Sequence, residues 1–179
     1  MLDIDKAVLV VVDVQGKLAE AMAEKEALYA NLRRLILGAR ALAVPTIWTE
    51  QIPEKLGPTV PELQDLLAGQ SALAKATFSC WGDGPFRVKL QSLGRRQVLL
   101  AGIETHVCVY QTAADLAANG YESHVVADAV SSRTLSNKLI GLEKIRDCGG
   151  QVTSVETALF ELMRTAGHPA FRDILKLVK

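Results

Sequence analysis

The chain has 179 residues, with twenty basic and twenty acidic side chains and a formal net charge of zero. No basic cluster exceeds pairs such as Arg33–Arg34 and Arg95–Arg96, so the electrostatic footprint of a nucleic-acid or anionic-membrane binder is missing. Hydrophobic residues make up 49% of the chain, which excludes disordered and fibrous architectures and fits one domain, 1–179, with a sizeable core.

The longest apolar run, AVLVVV at 7–12, reads as a strand buried on both faces, and Asp13 stops it. It is far too short to span a bilayer, and Asp3 and Asp5 precede it where a signal peptide would be basic, so a soluble, cytoplasmic protein is expected. Leu28, Leu32, Leu35, Ile36 and Ala39 recur at helical spacing over 24–43, and Val44–Pro45 ends that helix. TIWT at 46–49 is a second strand, and Trp48 is expected to pack within or beside the sheet. A Pro- and Gly-rich loop over 50–62 follows, then a short helix over 61–69, with Lys75 just beyond. FSCWGDGPF at 78–86 reads as an aromatic loop folded over a pocket.

QVLLAG at 97–102 is the next strand and HVCVYQTAADLAANG at 106–120 the next helix, with Thr105 as candidate N-cap and Gly120 as terminator. HVVADAV (124–130) and QVTSVE (151–156) are two further strands around a helical stretch at 134–150. Two amphipathic helices close the chain over 156–167 and 168–179. Strands that are apolar runs, alternating with helices, predict an α/β fold: a three-layer αβα sandwich around a mostly parallel, Rossmann-like sheet. Neither G-x-G-x-x-G after the first strand nor a P-loop is present, so a nucleotide cradle is not expected.

Ligands of such sheets sit beyond the carboxyl ends of the strands. Asp13, Glu50, the 102–108 turn and Asp128 occupy those ends, although an acid there often only caps the next turn. Cys108 is either a small buried filler or a nucleophile. In the first turn of its helix a thiolate would be favoured, and it would need a proton acceptor and a cation nearby. The three cysteines, Cys80, Cys108 and Cys148, are odd in number and lack CxxC, so neither a disulfide framework nor a thiolate zinc site is expected.

VLVVVDVQGKL (8–18), TEQIPEKLGPTVPEL (49–63), KATFSCW (75–81), LLAGIETHVCVYQTAADLAANGY (99–121) and VVADAVSSR (125–133) together resemble the isochorismatase-like cysteine hydrolases. That superfamily includes nicotinamidases, N-carbamoylsarcosine amidohydrolases and isochorismatases. The resemblance implies the isochorismatase-like hydrolase fold and an Asp13, Lys75, Cys108 triad working through a thioester on a small amide or carbamoyl substrate. It also implies a cis Ile103–Glu104 peptide, an oxyanion hole from the backbone amides of Glu104 and Cys108, and a homo-oligomer to which the closing helices contribute. By position, Gln15, Gln51, Phe78, Trp81, Thr105 and the loop around Pro53 are the candidate substrate pocket. The Asp and His metal ligands of nicotinamidases have no counterpart in TEQIPEKLG, so no metal and no cofactor are expected. Vinyl-ether hydrolysis is the rival chemistry, and a redox-sensing or binding module built on Cys108 is the rival class. His106, His124 and His168 stand at no metal-ligand spacing, and His106 could face the pocket rim. Cys80 and Cys148 are expected to pack, and Ser131, Ser132 and Arg133 to cap the next helix or touch a pocket or partner subunit.

Overall fold

The computed structural model describes residues 1–67 and 69–179. Six parallel strands form one sheet: β1 (Ala7–Val12), β2 (Thr46–Gln51), β3 (Leu73–Lys75), β4 (Gln97–Ile103), β5 (Glu122–Ser131) and β6 (Gln151–Thr153). Their spatial order is β3-β2-β1-β4-β5-β6. The chain thus winds outward from β1 on one side and returns to its other side at β4. The reversal opens a crevice beyond the carboxyl ends of these two central strands.

β1 shows why the sheet is covered on both faces. All six of its residues are buried, and successive side chains point in opposite directions. Ala7, Leu9 and Val11 join one core with α2 (Lys25–Ala41), α8 (Val155–Met163) and α9 (Phe171–Val178). Val8, Val10 and Val12 join the other with α5 (Gly84–Ser92), α6 (Tyr110–Ala118) and α7 (Leu135–Asp147). Fully burying each such Val or Leu contributes about 1.5–3 kcal/mol, which makes a continuous apolar run stable only at the centre of a three-layer α/β sandwich.

Four short elements complete the carboxyl edge and its approach: α1 (Gly16–Glu20), α3 (Pro53–Leu56), α4 (Pro61–Gln64) and the 3₁₀ turn Asp65–Leu67. The expected helix over 61–69 is therefore a helical turn followed by a tighter one, with residue 68 outside the described residues. The expected loop at 78–86 is shorter than its sequence suggests, because α5 begins at Gly84. The Asp83 carboxylate caps it by accepting from the Phe86 amide at 3.0 Å, and Pro85 suits its first turn. α7 and α8 are capped in the same way by Thr134 and Ser154.

One glycine ties the fold to the crevice. Gly102 adopts φ +111°, and a Cβ there would lie 2.1 Å from the Val12 carbonyl oxygen. Only glycine lets β4 approach the end of β1 this closely, immediately before Asp13 and two residues before Glu104. Among the described residues, no helix is long and apolar enough to cross a membrane.

Candidate active site

Three side chains separated widely in sequence meet at the crevice. Asp13 follows β1 with φ 51°, Lys75 ends the edge strand β3, and Cys108 lies in the turn after β4. The pairing of β2 with β3 sets Lys75 beside Gln51, and the pairing of β1 with β2 sets Val12 beside Thr49. Lys75 Nζ donates to Asp13 Oδ2 at 2.6 Å and to Gln51 Oε1 at 2.7 Å, with the Thr77 and Phe78 carbonyls at 3.0 and 3.1 Å. Thr49 Oγ1 donates to the other Asp13 oxygen at 2.8 Å. Both charged groups are almost wholly buried, so the surrounding acceptors and donors are what make an ionised pair tolerable there.

Cys108 sits in a π-helical turn, Thr105–Val109, that leads directly into α6. The Ile103–Glu104 peptide before it is cis. The Glu104 carbonyl accepts from the Val107 amide at 3.1 Å and the Val109 amide at 3.2 Å, and the latter closes the wide i→i+5 ring. This pair of bonds passes over the Cys108 amide. α7 presses on the turn through Gly141, where a Cβ would stand 2.7 Å from the His106 nitrogen. The N-cap role expected of Thr105 is not realised. Glu104 precedes the turn without a side-chain cap, and the Thr105 hydroxyl is buried with no hydrogen-bond partner among the described residues.

Burial pushes the Cys108 thiol up to about 12, and the neighbouring Asp13 carboxylate adds to the rise while Lys75 opposes it. Burial also raises the Asp13 carboxyl above its ordinary value, against the pull of the Lys75 ammonium. At rest Cys108 is therefore a thiol, in contrast to the thiolate that a helix N-terminus alone would favour. Alkylation of Cys108 by iodoacetamide is expected to accelerate about tenfold per pH unit from pH 7 to pH 10, because the reactive thiolate fraction grows by that factor. Peptide mass spectrometry at residue 108 reads the rate, and a plateau below pH 9 would contradict a raised thiol.

A cavity of about 120 Å³ adjoins the sulfur, lined by Asp13, Gln51, Glu104, Cys108 and five apolar side chains, Leu18, Leu56, Phe78, Ile103 and Val107. Of the pocket residues expected from sequence, Gln51 and Phe78 line it, whereas Gln15, Trp81 and Thr105 do not. Gln15 instead stitches the loop around Pro53, donating to the Gln51 and Gly57 carbonyls at 3.2 and 2.7 Å. Trp81 packs edge-on against Tyr121 and borders a separate cleft with Arg95 and Arg96. Leu56 comes from the expected loop around Pro53, whereas Leu18, Ile103 and Val107 were missed, since apolar residues next to turns carry no chemical signature in a sequence.

The other acids expected at strand ends are structural, and Asp128 lies inside β5, three residues before its end. Glu50 accepts from the Thr59 amide and hydroxyl at 2.7 and 2.8 Å, and Asp128 accepts from the Val155 amide at 2.9 Å. Glu104 is held by Arg133, whose backbone amide and Nε lie 3.0 and 3.1 Å from its Oε2. His106 Nδ1 pairs with Ser132 Oγ at 3.0 Å and does not line the cavity. His124 is buried, which lowers its pKa, and His168 accepts from the Ala170 amide. Ser131 Oγ donates to the Ala23 carbonyl at 2.7 Å and caps nothing. Cys80 is fully buried with its sulfur 3.8 Å from Thr49 Oγ1, whereas Cys148 is only half-buried and not a core residue. Among the described residues, no group of three His, Cys, Asp or Glu side chains is placed to hold a metal ion.

An isochorismatase domain matches residues 7–157 of the chain. Isochorismatase domain-containing protein 2 of Danio rerio is 39% identical over 173 residues, spanning 96% of this chain and 86% of that protein. The secreted isochorismatase effector Isc1 of Phytophthora sojae is 40% identical over 177 residues, spanning 97% and 84%. A solved structure described as the MAR1 ribonuclease from Caenorhabditis elegans superposes with a TM-score of 0.92 at 36% identity, over 99% of this chain and 91% of that one.

Proposed function

The chain belongs to the isochorismatase-domain family, and on that premise we propose that it is a cysteine hydrolase acting on small amide or carbamoyl substrates. The observation that carries the reading is the buried Asp13–Lys75 pair, whose carboxylate residue lines the same cavity as Cys108. In the proposed reaction Asp13 takes the thiol proton as the sulfur attacks the carbonyl carbon. The amides of Glu104 and Cys108 stabilise the oxyanion of the tetrahedral intermediate. The C–N bond then breaks, Asp13 returns its proton to the departing amine, and a thioester remains on Cys108. Water attacks that thioester with Asp13 again as the base, and the carboxylic acid and free thiol are released. Lys75 keeps its proton throughout and holds the carboxylate in place. A raised Asp13 and a raised Cys108 suit proton transfer at the moment of attack, because neither group is committed beforehand to its ionised form.

Mass spectrometry of the intact protein during amide turnover tests the reading. It should gain the mass of one acyl group at Cys108, and turnover without any adduct in Cys108→Ala would overturn it. Vinyl-ether hydrolysis of isochorismate is less well supported, because that substrate carries two carboxylates and no Lys, Arg or His lines the cavity among the described residues. The same lack of cations and the small volume count against a phosphodiester substrate. A peroxide-sensing role requires an accessible, low-pKa thiol, which the burial of Cys108 opposes.

A homo-oligomer and a cytoplasmic location belong to the same proposal. The closing helices pack inward through Leu159, Leu162, Met163 and Ile174, so their apolar faces are largely spent on the chain's own core. The exposed apolar strip is on α7, where Leu135, Leu139 and Ile140 are 49%, 65% and 50% accessible. Leu139→Lys is expected to lower the sedimentation mass of the native assembly, and an unchanged mass would remove α7 from the contact.

A further inference from the structure

We infer that the cavity beside Cys108 is an acyl pocket that selects short, uncharged aliphatic acyl groups of about four carbons. The inference rests on the hydrolase reading for the chemistry at sulfur, and on the cavity wall for the selectivity. A thioester mechanism keeps the acyl group attached to Cys108 through a second half-reaction while the amine departs to solvent. The apolar cavity next to the sulfur is therefore the place for the group that stays.

Size follows from the volume. At about 120 Å³ the cavity lies well below the roughly 300 Å³ at which pockets for drug-sized ligands begin. With about 30 Å³ for each water-sized group, it holds about four of them.

Charge follows from how the polar wall atoms are already used. Asp13 is held by Lys75 and Thr49, and Glu104 by Arg133. The Gln51 side chain gives its oxygen to Lys75 and an amide hydrogen to the Ala76 carbonyl at 2.8 Å. Both wall carboxylates already have their own counter-ions, and no further cation among the described residues lines the space. An anionic acyl group would shed its water with no cation to pair with, whereas Leu18, Leu56, Ile103, Val107 and Phe78 reward hydrocarbon.

The test is a homologous series of primary amides from acetamide to hexanamide, with succinamate as the anionic counterpart of butanamide. Turnover is measured with the native protein and with Leu18→Ala, and binding with Cys108→Ser, which keeps the shape of the thiol. In both readouts each added methylene should gain about fourfold up to butanamide and lose beyond it. Succinamate should fall at least about 100-fold below butanamide. Leu18→Ala should move the optimum longer by one or two carbons. A series flat in chain length in the binding experiment, or succinamate matching butanamide, overturns the acyl pocket whatever the turnover. A binding series with the expected optimum but no turnover on any amide leaves the size selection standing and sinks the hydrolase reading.

Discussion

Cys108→Ala should lose about 10⁴- to 10⁶-fold in kcat on any amide the native protein hydrolyses, the scale seen when a covalent nucleophile is removed. No second sulfur is placed to substitute. Cys80 is fully buried and outside the cavity lining, and Cys148 belongs to the far end of α7. The change should leave folding nearly intact, because one small side chain at the cavity wall is lost and no buried charge is exposed. A melting temperature within a few degrees of the native protein, on a scale of roughly 2–4 °C per kcal/mol for this size, separates loss of chemistry from loss of fold. Substantial residual turnover would assign the nucleophile elsewhere.

Lys75→Ala should be costly in both respects. The ammonium makes its contacts in the interior, and its removal leaves the Asp13 carboxylate buried with the Thr49 hydroxyl and the Cys108 thiol as its remaining side-chain partners among the described residues. Breaking a buried pair in this way costs about 3–5 kcal/mol, a drop of roughly 10 °C in melting temperature. The double variant Asp13→Asn/Lys75→Met removes both charges and should recover most of that stability while remaining inactive. Calorimetry of the single and double variants reads the difference, and equal melting temperatures would deny the charge-pair account.

The loss in Lys75→Ala also has a sign with pH. Burial already raises the Asp13 carboxyl, and without the ammonium it rises further. Between the unfolded and folded pKa values the native state then binds more protons than the unfolded one, so stability falls as pH rises. The variant should be least impaired in acid and most impaired at neutral pH and above.

Much of the architecture was legible because one kind of interaction dominates it. A strand such as AVLVVV has no polar side on which to face water, so its runs announced a sheet covered on both faces. Elements whose stability comes from neighbours were not legible. β3 is three residues long, with only Lys75 fully buried, and its pairing with β2 exists because the rest of the sheet is already there. α5 had a readable start in Asp83, Gly84 and Pro85, but the aromatic residues around it resembled a pocket loop. The groups proposed for catalysis stood out, since acids, ammonium and sulfur at turns are chemically conspicuous. The apolar wall did not, because a leucine at a pocket and a leucine in a core are alike until their neighbours are known.

The position of Lys75 has a bearing on how the molecule wears out. Its carrier strand is one of the two edge strands of the sheet and is joined on one side by a three-residue register, Leu73 to Thr49 through Lys75 to Gln51. Peripheral segments open at lower free energy than the centre of a sheet. On the proposed mechanism, a transient peeling of this margin is enough to strand the acid without its counter-ion while every central strand stays zipped. Hydrolytic competence is thus the most perishable property of the fold, tied to its selvedge and not to its heart.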